Sequence, residues 1–267
     1  MVGLLHPLPS AATVLAAGGF AVLFARGDPP PDRLWLLVAL MGLQQGAISL
    51  HNDWCDRVLD GLTKPWRAIP RGLVAPRLAY ALSWCLAVLS LVPAWLLGPL
   101  VTALDVLALG AGFVYNAWLK RTPWSWVPFA VAFPLLPLFG AATSGVWPPL
   151  WWTVFVVGLP LILAIHLADA LPDLETDAGA GVRGLAHHLG AARGRALCRA
   201  ALVLAALLGA GFGWLSGHLP AGGAAAAALV LAALPTGWPR AQRVALTAGA
   251  AVTALGWVAT LAHLTPA

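Results

Sequence analysis

The chain is 267 residues long, 60% hydrophobic and only 9% charged, where a soluble globular domain carries roughly 25% charged residues. That leaves too little polar surface to cover a water-facing body of this size, which excludes a soluble enzyme and points to a membrane protein. The net charge of +5 suits loops facing an anionic inner leaflet and gives no argument for nucleic acid.

Apolar runs between helix breakers, taken at about 20 residues per crossing, place spans at about 8–25, 34–53, 76–97, 100–119, 124–142, 150–168, 191–215, 221–237 and 241–263. The first stretch has no Lys or Arg ahead of it, as a secretory signal would, and is read as a span. The eighth, mostly alanine between Pro220 and Pro235, is short for a crossing, so eight spans is the alternative count. The expected fold is all-α and polytopic, with about nine transmembrane helices and no separate soluble domain.

Short cytoplasmic loops collect Lys and Arg. Arg57, Lys64, Arg67, Arg71 and Arg77 follow the second span, Lys120 and Arg121 the fourth, Arg183, Arg193, Arg195 and Arg199 the sixth, and Arg240 and Arg243 the eighth. Arg26 and Arg33, after the first span, are balanced by Asp28 and Asp32. The amino terminus is therefore expected in the cytoplasm and the carboxyl terminus outside. Trp66, Trp118, Trp124, Trp126, Trp147, Trp151 and Trp152 fall near span ends, as interfacial anchors do. Cys55, Cys85 and Cys198 lack metal-ligand spacing and are read as structural.

Seven of the ten acidic residues form two groups: Asp53, Asp56 and Asp60 at the end of the second span, and Asp169, Asp173, Glu175 and Asp177 at the end of the sixth. At about 100° per residue, Asn52, Asp56 and Asp60 stand at roughly 0, 40 and 80° with Asp53 at roughly 100°, all on one helix face. The same steps align Asp169, Asp173 and Asp177, while Glu175 points elsewhere. Carboxylates stacked this way repel one another and call for a cation. A hard divalent ion fits, and Mg²⁺ is typically shared between one or two carboxylates and substrate phosphates. Two such stripes facing each other would hold a diphosphate between metal ions. The alternative reading is solvated loop charge.

The clusters are 116 residues apart, with four spans between their equivalent positions. This pattern predicts one domain over 1–267 with pseudo-repeat halves at about 1–122 and 123–238 plus a last helix. Parallel four-helix repeats would bring the stripes together across a central cavity. The loop from Gly61 to Gly72 carries Lys64, Arg67 and Arg71 beside the first stripe, where a guanidinium fork and an ammonium suit phosphate oxygens. Tyr115 and Lys120 end the fourth span on the same side; a ring face stabilises a cation and a lysine reaches phosphate. Asp105 is the one mid-span acid, and is read as structural or solvated.

The run Asn52-Asp53-Trp54-Cys55-Asp56-Arg57-Val58-Leu59-Asp60 resembles the NDxxDxxxD motif of the UbiA superfamily of intramembrane prenyltransferases. Asp169, Asp173 and Asp177, followed by Gly181, Val182 and Arg183, resemble that superfamily's DxxxDxxxD segment and its glycine-rich turn. Lys64-Pro65-x-Arg67-x-Ile69-Pro70 and Tyr115-x4-Lys120 match in the expected order. The resemblance implies a nine-helix fold, Mg²⁺ held by Asn52, Asp53, Asp56, Asp60, Asp169, Asp173 and Asp177, and a prenyl diphosphate bound by Asn52, Lys64, Arg67, Arg71, Tyr115, Lys120 and Arg183. Asp53, Asp56, Asp173, Tyr115 and Lys120 would carry the catalysis. The Asn-Asp-Trp-x-Asp-Arg and Ile-Pro-Arg-Gly wording is most similar to the chlorophyll synthase and archaeal ether-lipid branches.

Three departures stand out. Pro172, between Asp169 and Asp173, should kink the helix or mark its restart. Gly184 stands where the family often has threonine, and Ala168 where it often has asparagine, so the second site loses polar support. His51 and His166, near the starts of the motifs, are candidate bases, with packed or hydrogen-bonded histidine as the alternative.

The expected reaction is Mg²⁺-dependent transfer of a prenyl group from an isoprenoid diphosphate to a lipophilic acceptor, aromatic or lipid-like. The expected setting is the cytoplasmic side of a bacterial inner membrane. Two other readings stay open: a terpene cyclase in which the donor's own double bonds capture the cation, and a secondary transporter using its carboxylates for ion coupling.

Overall fold

A computed structural model of the chain describes residues 7–179, 183–218, 224 and 239–266, and every regular element in them is helical. The helices are α1 (Pro7–Phe24), α2 (Pro31–Thr63), α3 (Pro76–Leu97), α4 (Pro99–Ala117), α5 (Val127–Ala132), α6 (Leu135–Thr143), α7 (Thr153–Ala170), α8 (Leu174–Gly179), α9 (Leu185–Leu215) and α10 (Pro239–Leu264). Single 3₁₀ turns lie at Leu119–Arg121 and Leu171–Asp173. Proline sets several starts: α2, α3 and α4 each carry it in the first helical positions, where its fixed φ is suitable and its missing N–H costs nothing. Gly98 alone joins α3 to α4 with φ 126°, a conformation that favours glycine.

The segments Pro31–Thr63, Pro76–Leu97, Pro99–Ala117, Thr153–Asp173, Leu185–Leu215 and Val244–Leu264 are long and apolar enough to cross a bilayer; Pro9–Phe24 and Val127–Thr143 are shorter apolar segments. The chain is thus an all-α, polytopic membrane protein. The eighth expected span, 221–237, lies outside the described residues except for Ala224, so nine is not an observed count.

Three expected spans change shape. The second runs on to Thr63, ten residues past its expected end, so the whole first motif is helical. The fifth is broken into α5 and α6 around Pro134, which has no N–H to donate to the preceding turn. The seventh starts at Leu185 and is kinked at Gly190, whose φ of 73° and ψ of 165° leave the helix.

Backbone contacts divide the chain into two compact units, Met1–Leu119 with Leu135–Gly145, and Lys120–Pro134 with Val146–Ala267. In the first, α2 packs on α1, α3, α4 and α6. Small residues allow close approach, as between helices in lipid. A Cβ on Gly140 of α6 would lie 2.7 Å from the backbone N of Ala21 in α1, and one on Gly112 of α4 would lie 2.8 Å from Ile48 of α2. Polar staples add specificity. Buried Asp105 accepts from Gln44 Nε2 at 2.6 Å and from Ser90 Oγ at 2.8 Å, tying α2, α3 and α4 together. Arg33, expected as balanced loop charge, donates to the carbonyls of Leu97, Ala142 and Thr143 and so caps the last turns of α3 and α6. In the second unit α7, α9 and α10 pack together, with α5 against α7. Buried Cys198 donates to Ala164 O at 3.2 Å.

Candidate active site

The first motif occupies the end of α2. Asp53 and Asp60, two turns apart, are both buried, whereas Asn52 and Asp56 are half-buried and Val58 is exposed. Removing a carboxylate from water is costly unless a cation meets it. The cation is delivered by the loop after Thr63. Lys64 N–H caps the helix on Asp60 O at 2.7 Å, Arg67 N–H follows onto Lys64 O, and Arg71 N–H onto Arg67 O. Gly72, at φ 71°, closes the next turn onto Ile69 O, and Ala68 and Ile69 are buried beneath it. The result turns Arg67 back over α2, with Nη1 2.8 Å from Asp53 Oδ1. Lys64 Nζ is 3.7 Å from Asp60 but half exposed, a weak pair. Arg71 is exposed.

Asn52 donates from Nδ2 to Asn116 Oδ1 at 2.9 Å, and Asn116 Nδ2 donates to Ile48 O at 2.9 Å. Asn116 is buried and went unread in the sequence, because nothing in local spacing marks a partner 64 residues away. Tyr115, in the last turn of α4, is half-buried; Lys120, in the 3₁₀ turn that follows, is buried. The tyrosine belongs to the first unit and the lysine to the second. His51 is buried and stacked on Phe113 at 4.2 Å between ring centroids, within a closed ring of aromatics that continues through Trp84, Tyr80 and Trp54. Arg57 lies over the Trp54 ring and donates to Trp54 O.

The second motif departs from the shared-face geometry, and Pro172 is the reason. Asp169 ends α7, Asp173 lies in the 3₁₀ turn and Asp177 in α8, so one continuous α-helical stripe does not exist. Asp169, Asp173 and Glu175 are exposed; the side chain of Asp177 lies outside the described residues, as do residues 180–182. Arg183 is exposed. Behind the motif, Ser125 Oγ lies 2.9 Å from Nε2 of buried His166 and 3.1 Å from the N–H of Leu185, the first residue of α9. The hydroxyl accepts from the Leu185 N–H and shares a hydrogen bond with the His166 ring nitrogen. His166 is therefore a hydrogen-bonded, buried histidine, packed against Phe129. Gly184, the N-cap of α9, is buried against this contact: a Cβ there would stand 3.0 Å from Ser125 Oγ and 3.4 Å from Lys120 O. Ser125 thus joins His166 to the start of α9, and that role too was invisible at the level of local motifs.

Among the described residues no three His, Cys, Asp or Glu side chains converge as a ready-made metal cage. The donor set is nevertheless of hard oxygens, carboxylates and an asparagine amide, which fits Mg²⁺ bound through one or two protein ligands with phosphate and water completing its shell.

A model of the UbiA prenyltransferase family matches residues 10–248. The bacteriochlorophyll synthase 33 kDa chain of Cereibacter sphaeroides is 36% identical over 176 residues, covering 60% of this chain and 57% of that protein. The 4-hydroxybenzoate octaprenyltransferase of Vibrio atlanticus is 28% identical over 168 residues, covering 62% and 59% respectively. The chain thus spans less than two thirds of the length of either relative. The solved structure of a UbiA homologue from Archaeoglobus fulgidus bound to GPP and Mg²⁺ shares the fold, with a TM-score of 0.75 at 18% identity over 96% of both chains.

Proposed function

The chain belongs to the UbiA prenyltransferase family, and on that footing we propose that it transfers a prenyl group from an isoprenoid diphosphate to a lipophilic acceptor within the membrane, with Mg²⁺, at the cytoplasmic face. The observation that carries the reading is Arg67 folded back onto the buried Asp53 carboxylate at the end of α2. A helix end that keeps a buried acid and a guanidinium in register is suited to a ligand that is both metal-bound and phosphorylated.

In this reading Asn52, Asp53, Asp56, Asp60, Asp169, Asp173 and Asp177 hold Mg²⁺, which supplies Lewis-acid neutralisation of the diphosphate. Lys64, Arg67, Arg71, Lys120 and Arg183 bind phosphate oxygens. When the bond between the allylic carbon and oxygen breaks, its electron pair leaves with the diphosphate, and these cations stabilise the charge that develops there. The Tyr115 ring face stabilises the allylic cation. The acceptor's nucleophilic carbon or oxygen then gives an electron pair to that carbon and loses a proton to one of the aspartates.

Purified protein given a panel of prenyl diphosphates, membrane lipid extract and Mg²⁺ should release diphosphate and a prenylated lipid resolvable by mass spectrometry. Asp53→Ala should abolish donor consumption. Unimpaired turnover by that variant would refute the site. A cyclic hydrocarbon formed from donor alone would make the chain a cyclase, and uptake into liposomes without chemical change a transporter.

A further inference from the structure

We propose that Asn116 is a positioning residue, fixing the direction of the Asn52 side-chain amide so that its oxygen, and not its nitrogen, is offered to Mg²⁺. The inference rests on the metal-binding reading of the first motif. The two ends of a primary amide are nearly the same size and shape, but only Oδ1 can ligate a cation; Nδ2 carries two N–H donors and repels one. A free asparagine would thus present the wrong end in much of its population, so something has to break the symmetry.

The break originates in a group that cannot donate. Ile48 O, one turn before Asn52 on α2, accepts from Asn116 Nδ2 at 2.9 Å. Because a carbonyl only accepts, Asn116 must face it with nitrogen, which turns Asn116 Oδ1 toward Asn52. That oxygen also only accepts, so Asn52 must meet it with Nδ2, as it does at 2.9 Å. Asn52 Oδ1 is then directed away from Asn116. Each link is forced by the one before it. Asn116 is only 3% exposed, so water is not available to replace a lost partner.

The backbone is arranged to permit the contact. Gly112, one turn before Asn116 on α4, lies against Ile48 so closely that a Cβ would stand 2.8 Å from Ile48 side-chain carbons. This proximity brings Asn116 within reach of the Ile48 carbonyl. A simple α2–α4 clamp would need only the Asn116–Ile48 bond; the second bond, to a motif residue, is what directs the amide. Partners of this kind behind a metal ligand typically contribute 10- to 100-fold in metal affinity.

The test uses the full chain in nanodiscs and the Mg²⁺ dependence of binding of a geranyl diphosphate analogue with sulfur at the scissile bridge. Asn116→Leu, and Asn116→Ala as the milder variant, should raise the Mg²⁺ concentration for half-maximal binding about tenfold. The decisive background is Asn52→Asp, in which both ends of the side chain are oxygens and direction no longer matters. There, adding Asn116→Leu or Asn116→Ala should leave the Mg²⁺ midpoint unchanged or lower it. An equal upward shift in both backgrounds would mean a merely structural clamp and overturn the proposal, as would an unchanged midpoint in both single variants. If the unmodified chain binds the analogue without any Mg²⁺ dependence, the metal-binding reading itself falls, and this inference with it.

Discussion

Arg67 reaches fourteen residues back along the chain to place Nη1 2.8 Å from Asp53 Oδ1, at side-chain exposures of 15% and 5%. The neighbouring pair, Lys64 and Asp60, is at 3.7 Å with the lysine 49% exposed. The two cations are adjacent in one loop and bound to one helix, yet they should behave differently. Arg67→Ala strands a buried carboxylate and is expected to cost about 2–4 kcal/mol in stability, besides weakening donor binding at least tenfold. Lys64→Ala should cost under about 0.5 kcal/mol while still weakening donor binding. Thermal unfolding in detergent beside donor affinity separates the two. Equal stability losses for both variants would contradict the assignment.

Asp105, the mid-span acid that the sequence reads as structural or solvated, has a structural task, and its neighbours define it. Gln44 and Ser90 both donate to it, and all three are buried in the α2–α3–α4 contact. Asparagine keeps an acceptor for Gln44 and a hydrogen-bonding end for Ser90, so Asp105→Asn should be nearly neutral. Asp105→Leu leaves the Gln44 amide unpaired and should cost about 1–3 kcal/mol. Loss of donor turnover in Asp105→Asn at unchanged thermal stability would show that the carboxylate is used in function after all.

Glycines on the same kind of helix should diverge sharply. A Cβ at Gly140 would meet the α1 backbone, 2.7 Å from Ala21 N and 2.8 Å from Phe20 C, whereas one at Gly42 meets nothing within 4 Å. Backbone does not yield as a side-chain tip does. Gly140→Ala should therefore destabilise by about 2–3 kcal/mol, and Gly42→Ala should stabilise by up to about 1 kcal/mol through helix propensity. Matching melting temperatures for the two would mean that α1 and α6 are not in this contact.

These residues show which features a sequence discloses. Helix ends set by proline and hydropathy were legible: α3 falls on 76–97 as expected, and Pro172 breaks the second motif as expected. The break at Pro134 was written just as plainly, but a continuous apolar run masked it, because hydropathy measures transfer from water and not backbone hydrogen bonding. Motif residues were legible because their chemistry is local in the chain. Their supports were not. Asn116 meets Asn52 across 64 residues and Ser125 meets Leu185 across 60, and neither asparagine nor serine on a mostly apolar segment announces which backbone group it will satisfy.

Ser125 and Gly184 form a trade that can be reversed. The N-cap of α9 is Gly184, with extended backbone angles and no side chain to accept from the first helical N–H groups. The hydroxyl that does so, accepting from Leu185 at 3.1 Å, comes from Ser125, and it occupies the space a side chain on Gly184 would need. Ser125→Ala should cost about 1–2 kcal/mol, since it uncaps α9 and leaves buried His166 without its 2.9 Å partner. Gly184→Thr alone should also destabilise, its Cβ pressing on Ser125 Oγ at 3.0 Å. In the double variant the serine oxygen is gone and the threonine hydroxyl sits at an N-cap, where threonine is favoured. The double variant should then be more stable than the sum of the single losses by about 1 kcal/mol. Strict additivity in a double-mutant cycle by thermal unfolding would show that the two residues do not compete for one place, and that Ser125 does not act as the cap of α9.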